Sequence, residues 1–367
     1  MLLFRYLSTS SMLATVAVTL VLLLIVTSGR LAKYLTQASS GDLAADLVFS
    51  IILFRIPDFL PLIIPLGLFV GILLAYGRFY VDSEMTVIEA TGVSQGKILC
   101  MTMLPATLIS MLVAALTLWV APASLARVGA LLEESRNTHG LALFRAGKFQ
   151  TDRAGDSVVY VESLPSRERF EGVVLVEQRA DGGIMLVRAN SGRILPADDP
   201  NERFVELQNG RLYEGLIGSR AYQLTSFGSY TERIELRREA EQVKLKIDAL
   251  PTRELLRSDE LAHRAALHWR FSLPATVIVV AILAVPLSRT DRRRGRYTKM
   301  LPAILIYLVY IVSLSGVRSM VESAQFPVFT LWLMHLVFFS LALLLVYRRE
   351  LQRLLRSRSM ARTALPS

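Results

Sequence analysis

The stretch HWRFSLPATVIVVAILAVPLSRTDRRRGRYTKMLPAILIYLVY, residues 268 to 310, holds two uncharged apolar runs on either side of a dense basic link. The runs, Phe271 to Ser288 and Met300 to Val317, each have 18 residues. At about 1.5 Å per residue, a helix of that length crosses the roughly 30 Å hydrocarbon core of a bilayer. Four more uncharged windows, Tyr6 to Gly29, Phe59 to Gly77, Ile98 to Ala126 and Ser323 to Tyr347, are longer still. The second of these extends back to about Leu47, so six spanning helices are expected, three before residue 127 and three after residue 268. Composition agrees: 53% of residues are hydrophobic and mean hydropathy is +0.44. The first window follows Arg5 as a signal peptide would, but it far exceeds an h-region of roughly 7 to 15 residues and is expected to stay as a helix. The single cysteine, Cys100, allows no internal disulfide and no cysteine metal cluster.

Charge sets the orientation. Arg289, Arg292, Arg293, Arg294, Arg296 and Lys299 fill the link between spans four and five, and Arg348, Arg349, Arg353, Arg356, Arg358 and Arg362 fill the tail. The positive-inside rule puts both in the cytoplasm. With six spans, both termini and the segment between spans two and three are expected on that side. The expected division is 1–126 with three spans, a soluble insert at 127–268 on the opposite side, three spans at 269–347 and a basic tail at 348–367. The insert has 21 basic and 22 acidic residues, so the chain's net charge of +10 comes from the membrane portion. Within the insert, 157–163, 170–178, 184–189, 203–207, 211–216 and 222–227 read as short strands. They are separated by turn signals at Asp181-Gly182-Gly183, Asp198-Asp199-Pro200 and Asn209-Gly210, the last favouring a tight hairpin. Strand spacing of about 8 to 12 residues indicates an all-β sandwich or roll. A helical pattern returns at 251–268.

Catalytic chemistry is missing from the sequence. GVSQGKI, 92 to 98, has three residues between its glycines where a phosphate loop needs four, and Ile98 stands where Ser or Thr is required. Gly92 and Gly96 are read instead as helix-ending glycines. His139, His263, His268 and His335 are scattered and form no zinc motif, and no GxSxG elbow occurs. No enzyme activity, cofactor, metal or nucleic-acid partner is expected.

Three features remain. Arg30, Lys33, Arg55, Arg270 and Arg318 sit at the non-cytoplasmic ends of spans, against the positive-inside trend. They either snorkel and pair locally, as Arg55 with Asp58 and Arg318 with Glu322, or hold an anionic headgroup at the outer leaflet. Gly67, Gly71 and Ala75, spaced by four in a span punctuated by Pro57, Pro61 and Pro65, allow close helix approach within the chain or to a second subunit. In RFYVDSEMTVIEATGVSQGK, 78 to 97, helical periodicity puts Val81, Met85, Ile88 and, at the edge, Val87 on one apolar face, with Glu84 inside it. Asp82 and Glu89 fall on the solvated side.

The RYL at 5–7, the YVDSEMTVIEATGVS at 80–94 and the opening stretch, with the order three spans, sheet domain, three spans, resemble the lipopolysaccharide export permease family. The opening stretch looks more like its LptF branch than its LptG branch. The resemblance implies a periplasmic β-jellyroll and an LptF–LptG heterodimer in the bacterial inner membrane. It also implies two copies of the cytoplasmic ATPase LptB, and delivery of lipopolysaccharide to LptC and then LptA. On the same basis, 80–92 is a coupling helix docking on the ATPase through Glu84, and Arg30, Lys33 and Arg318 contact lipid A phosphates, to which Arg55 and Arg270 are added by position. The competing expectation, a membrane-anchored periplasmic scaffold without transport, leaves those cations and Glu84 without a role.

Overall fold

The computed structural model describes residues 2–39, 43, 45–138, 146–151, 157–166, 169–178, 183–195, 202–216, 222–235, 240–290 and 300–363. At some element ends and from 349 onward, only the backbone is described. His139, Asp181-Gly182, Asp198-Asp199-Pro200 and the link residues Arg292, Arg293, Arg294, Arg296 and Lys299 lie outside them. The chain forms two compact units: a helical unit of Met1–Lys33, Phe49–Gly129 and Leu245–Ser367, and a β unit of Tyr34–Val48 and Ala130–Lys244.

Among the described residues, six helices are long and apolar enough to cross a membrane. They are α1 (Leu2–Ser39), α2 (Leu47–Val81), α4 (Gln95–Ala115) continued through a π turn (Leu116–Val120) into α5 (Ala121–Thr138), α8 (Leu261–Leu287), α9 (Met300–Glu322) and α10 (Thr330–Thr363). Short helices α3 (Glu84–Ala90), α6 (Ala240–Ala249) and α7 (Thr252–Leu255) complete the set. The last span starts at Thr330 and not near Ser323, because 323–329 is occupied by turns around Ala324, which has φ of 60°, and Pro327. α2 is the centre of the bundle: 72% of its most apolar window is buried, against 6% for α1. Leu68, Phe69, Ile72, Tyr76 and Phe79 of α2 form one core with Val277, Val280 and Leu283 of α8 and Tyr307 and Tyr310 of α9. α2 stays helical through Pro57, Pro61 and Pro65, which spanning helices tolerate when neighbours and local adjustment satisfy the freed carbonyls.

The α1–α2 approach is made by small residues on both helices. A Cβ added to Gly67 would lie 2.1 Å from Thr19 Oγ1, and one on Gly71 would lie 2.6 Å from the Thr15 backbone nitrogen. Ser11 and Thr15, four apart on α1, turn their hydroxyls back onto the carbonyls of Leu7 and Ser11, which satisfies them inside the bundle. Gly67 and Gly71 of α2 therefore pack on α1 of the same chain.

The β unit is one antiparallel sheet in sequence order, β1 (Phe149–Thr151), β2 (Ser157–Ser163), β3 (Arg169–Gln178), β4 (Gly183–Leu195), β5 (Glu202–Leu216) and β6 (Tyr222–Glu235). The expected strands at 203–207 and 211–216 are one strand, so Asn209-Gly210 makes no hairpin. Asn209 has φ of 52° and belongs to a crease. The cross-strand ladder is interrupted in one row, at Glu162, Gly172, Asn190, Asn209 and Gly228. In β4 the buried alternation Met185, Val187, Ala189 slips by one residue there and resumes at Gly192 and Ile194. That slip keeps apolar side chains inward on both arms. Val161, Val173 and Val187 from one arm and Phe170, Val205 and Leu207 from the other consequently share a core.

Two glycines next to the crease lie under aromatic rings from directly opposite positions, Gly192 under Phe170 and Gly210 under Phe227. A Cβ at Gly210 would meet the Phe227 ring at 2.3 Å and the Arg188 carbonyl oxygen at 2.6 Å. Gly210→Ala is expected to destabilise the β unit by about 1–3 kcal/mol through overpacking. Urea titration followed by the β-sheet circular dichroism signal of the full chain measures this; an unshifted midpoint would show that the crease can relax.

Candidate functional site

Four of the five exceptional cations converge in one ionic cluster of the helical unit. Arg318, with its side chain 7% exposed, donates from Nε to Glu322 at 2.6 Å and from Nη2 to Asp248 at 2.7 Å, and its guanidinium lies 5.0 Å from the Trp269 ring centre. Arg270 is also buried and donates to the carbonyls of Asp248 and Leu250 at 2.8 and 2.7 Å and to Thr252 Oγ1 at 2.8 Å. Thr252 Oγ1 in turn donates to the Leu118 carbonyl in the π turn at 2.5 Å. Arg55 reaches Asp58 at 3.5 Å, and Arg30 lies over the Phe59 ring at 5.3 Å. Asp58 feels the charges of Arg55, Asp248 and Arg30 together. Lys33, three residues after Arg30 on α1, is exposed.

Arg30, Arg55, Arg270 and Arg318 thus stand around Asp58, Asp248 and Glu322, which leaves cation in excess at one level of the bundle. The Glu322 and Asp58 contacts are legible in sequence at spacings of four and three. Asp248 is not, because it lies 70 residues from Arg318. Its role also moves the boundary of the inserted domain. Residues 245–268 belong to the helical unit, because Arg270 and Arg318 hold Asp248 to Thr252 against α8 and α9.

At the other end of the bundle, α3 follows a tight reversal in which Ser83 has φ of 65°. Gly92, with φ of 88°, ends the helix, and Ser94 Oγ caps α4 by accepting from the Lys97 nitrogen at 3.3 Å. Gly96 does not end a helix; it lies in the first turn of α4. GVSQGK is therefore a stop followed by a start, with no phosphate cradle. Met85 is fully buried in the bundle core and Ile88 packs against it. That corrects the expectation for Met85, whose apolar contact is with its own bundle. The outward apolar residue is Val87, 62% exposed, flanked by exposed Asp82, Thr86 and Ala90. Glu84 Oε2 accepts from the Tyr6 hydroxyl of α1 at 2.8 Å, and Glu89 Oε1 accepts from Tyr80 at 3.2 Å.

His335 is buried, with Ser272 Oγ 2.6 Å from Nε2 and the Tyr310 hydroxyl 2.5 Å from Nδ1. Both ring nitrogens are used to join α8, α9 and α10. The serine is wholly buried, so this Ser–His pair reads as packing and not as a nucleophile. No group of three or more metal-binding side chains occurs among the described residues.

In the β unit, Val158, Val176, Leu186, Tyr213 and Leu224 are successive cross-strand partners. Alternation places this row on the face opposite the core residues Val159, Leu175, Val187 and Leu212. The row is half-buried to exposed. Beyond it Arg188 and Arg211 face each other directly, both exposed, a like-charge pairing that is unfavourable without an anion.

Comparison with known proteins gives a consistent result. A family model described as "Lipopolysaccharide export system permease LptF/LptG" matches residues 5–348. Curated proteins named "Lipopolysaccharide export system permease protein LptF" from Escherichia coli K12, Escherichia coli O157:H7 and Shigella flexneri are each 31% identical over 348 residues, 94% of this chain and 94% of theirs.

Proposed function

Because the chain belongs to the lipopolysaccharide export permease family LptF/LptG, we propose that it is the LptF-type membrane subunit of a transporter that lifts lipopolysaccharide out of the bacterial inner membrane. A separate LptB-type ATPase in the cytoplasm, present in two copies, powers it, and an LptG-type chain is its partner. The β unit faces the periplasm and hands the lipid to LptC- and LptA-type proteins. The observation that carries the reading is the excess of arginine at one level of a six-helix bundle, in a chain matched to the family almost end to end. Lipid phosphates are held by Arg30 and Lys33, with Arg55, Arg270 and Arg318 behind them. Moving several acyl chains through water is prohibitive at about 0.8 kcal/mol per CH₂, and the apolar row of the β unit gives those chains a surface to follow.

Lipopolysaccharide carrying a photoreactive group, added to the purified complex, tests the cation site. Arg30→Ala with Lys33→Ala is expected to weaken crosslinking about tenfold while assembly is kept; unchanged crosslinking would return both residues to snorkelling. Acidic replacements should be worse than alanine, because repulsion of phosphate adds to lost attraction.

Docking of α3 is tested by co-purification. Val87→Glu, on the outward face, is expected to release the ATPase from the detergent-solubilised complex. Met85→Ala, facing the core, should instead lower the stability of the chain by about 2–5 kcal/mol. If no ATPase adheres to the wild-type protein, the scaffold reading gains over transport.

A further inference from the structure

The RYL at residues 5–7 opens α1 beside the end of α2. Leu7 is wholly buried in the bundle core and fixes the start of α1 against α2. Tyr6 sits on the neighbouring face, half exposed, with its ring 5.1 Å from that of Phe79 near the end of α2. Its hydroxyl donates to Glu84 Oε2 at 2.8 Å, and the other oxygen of Glu84 makes no hydrogen bond among the described residues. A carboxylate has about four acceptor positions on its two oxygens, so a bond at one oxygen orients the group and leaves the other available.

We propose that Tyr6 is a positioning residue for the docking of α3. Its hydroxyl holds one oxygen of Glu84 so that the second is presented to an arginine or lysine of the partner ATPase, and it makes α1 move with α3. The inference rests on the reading of α3 as the docking element and extends it to α1. Ser83 has a left-handed backbone and makes no side-chain cap, so the junction between α2 and α3 is held by backbone hydrogen bonds, from Ser83 N to the Tyr80 carbonyl and from Val87 N to the Ser83 carbonyl. Among the described residues, the side-chain hydrogen bonds that tie α3 to other helices come from two tyrosines. Tyr80 ties Glu89 back to α2, and Tyr6 alone among the described residues ties Glu84 to α1. α1 runs without proline from Leu2 past Arg30 and Lys33, so a push at Tyr6 reaches the far end of the bundle along a continuous helix.

The test uses the complex purified with its ATPase, reconstituted in vesicles containing lipopolysaccharide. Tyr6→Phe keeps the ring on Phe79 and removes only the hydroxyl. The ATPase is expected to remain bound in wild-type ratio, while lipopolysaccharide released per ATP hydrolysed falls about tenfold, the factor set by one charge-assisted hydrogen bond. Tyr6→Phe combined with Glu84→Ala should be no worse than Glu84→Ala alone, since both remove one linkage. Wild-type release per ATP in Tyr6→Phe, or multiplied losses in the double variant, would overturn the proposal. If Glu84→Ala and Val87→Glu both leave the ATPase bound and transport intact, the docking reading itself fails and this inference falls with it.

Discussion

Asp248→Ala is expected to lower the stability of the chain by about 3 kcal/mol, the lower end of the range for removing one partner of a buried ion pair. The buried member is Arg318, which would retain Glu322 as its one carboxylate partner among the described residues, while Asp248 is 27% exposed at its side chain and so gains less from pairing. Asp248→Asn keeps an acceptor oxygen and should cost only about 1 kcal/mol, the difference between a charged and a neutral hydrogen bond. The carbonyl of Asp248 still accepts from Arg270 in both variants, so the effect isolates the carboxylate. Reversible SDS titration followed by tryptophan fluorescence is well suited, because Trp269 lies against the Arg318 guanidinium. Equal stability of Asp248→Ala and wild type would show that Glu322 suffices and that the cluster is not centred on Asp248.

Gly71→Ala should damage the bundle more than Gly67→Ala, although both add one methyl to the same stripe. At Gly71 the new carbon would meet Thr15 backbone atoms at 2.6 and 2.7 Å, so α1 and α2 must separate by about 1 Å to reach ordinary contact. At Gly67 the close atom is Thr19 Oγ1 at 2.1 Å, and the nearest backbone atom is 3.4 Å away. That hydroxyl is buried without a hydrogen-bond partner, so rotating it away sacrifices no bond. An overpacking loss of about 1–3 kcal/mol is expected at Gly71 and well under 1 kcal/mol at Gly67, read in the same titration. Equal losses at the two positions would mean that α1 adjusts as a rigid body. Because Tyr6 lies further along the same interface, Gly71→Leu should also uncouple the proposed ATPase partner, which Gly67→Ala should not.

The sequence announced the glycine stripe of α2 but not what faces it. The matching signal was present as Leu7, Ser11, Thr15 and Thr19, four apart in the first span, and was masked by the overall hydrophobicity of the window. Similarly, one-dimensional periodicity identified an apolar face at Val81, Met85 and Ile88 but carried no information on whether the bundle or a partner covers it. Asn209-Gly210 misled for a different reason: a residue tolerant of positive φ serves a crease in a long strand as well as a hairpin turn.

By itself the sequence determined six spans, an inserted sheet domain and the family, because hydropathy and period-two alternation are properties of neighbouring residues. Tertiary structure alone decided the long-range pairings at the two proposed sites. Tyr6 meets Glu84 across 78 residues and Arg318 meets Asp248 across 70. Nothing local marks such partners, since a hydrogen bond or ion pair between helices depends on how their axes pack and which faces that packing brings together.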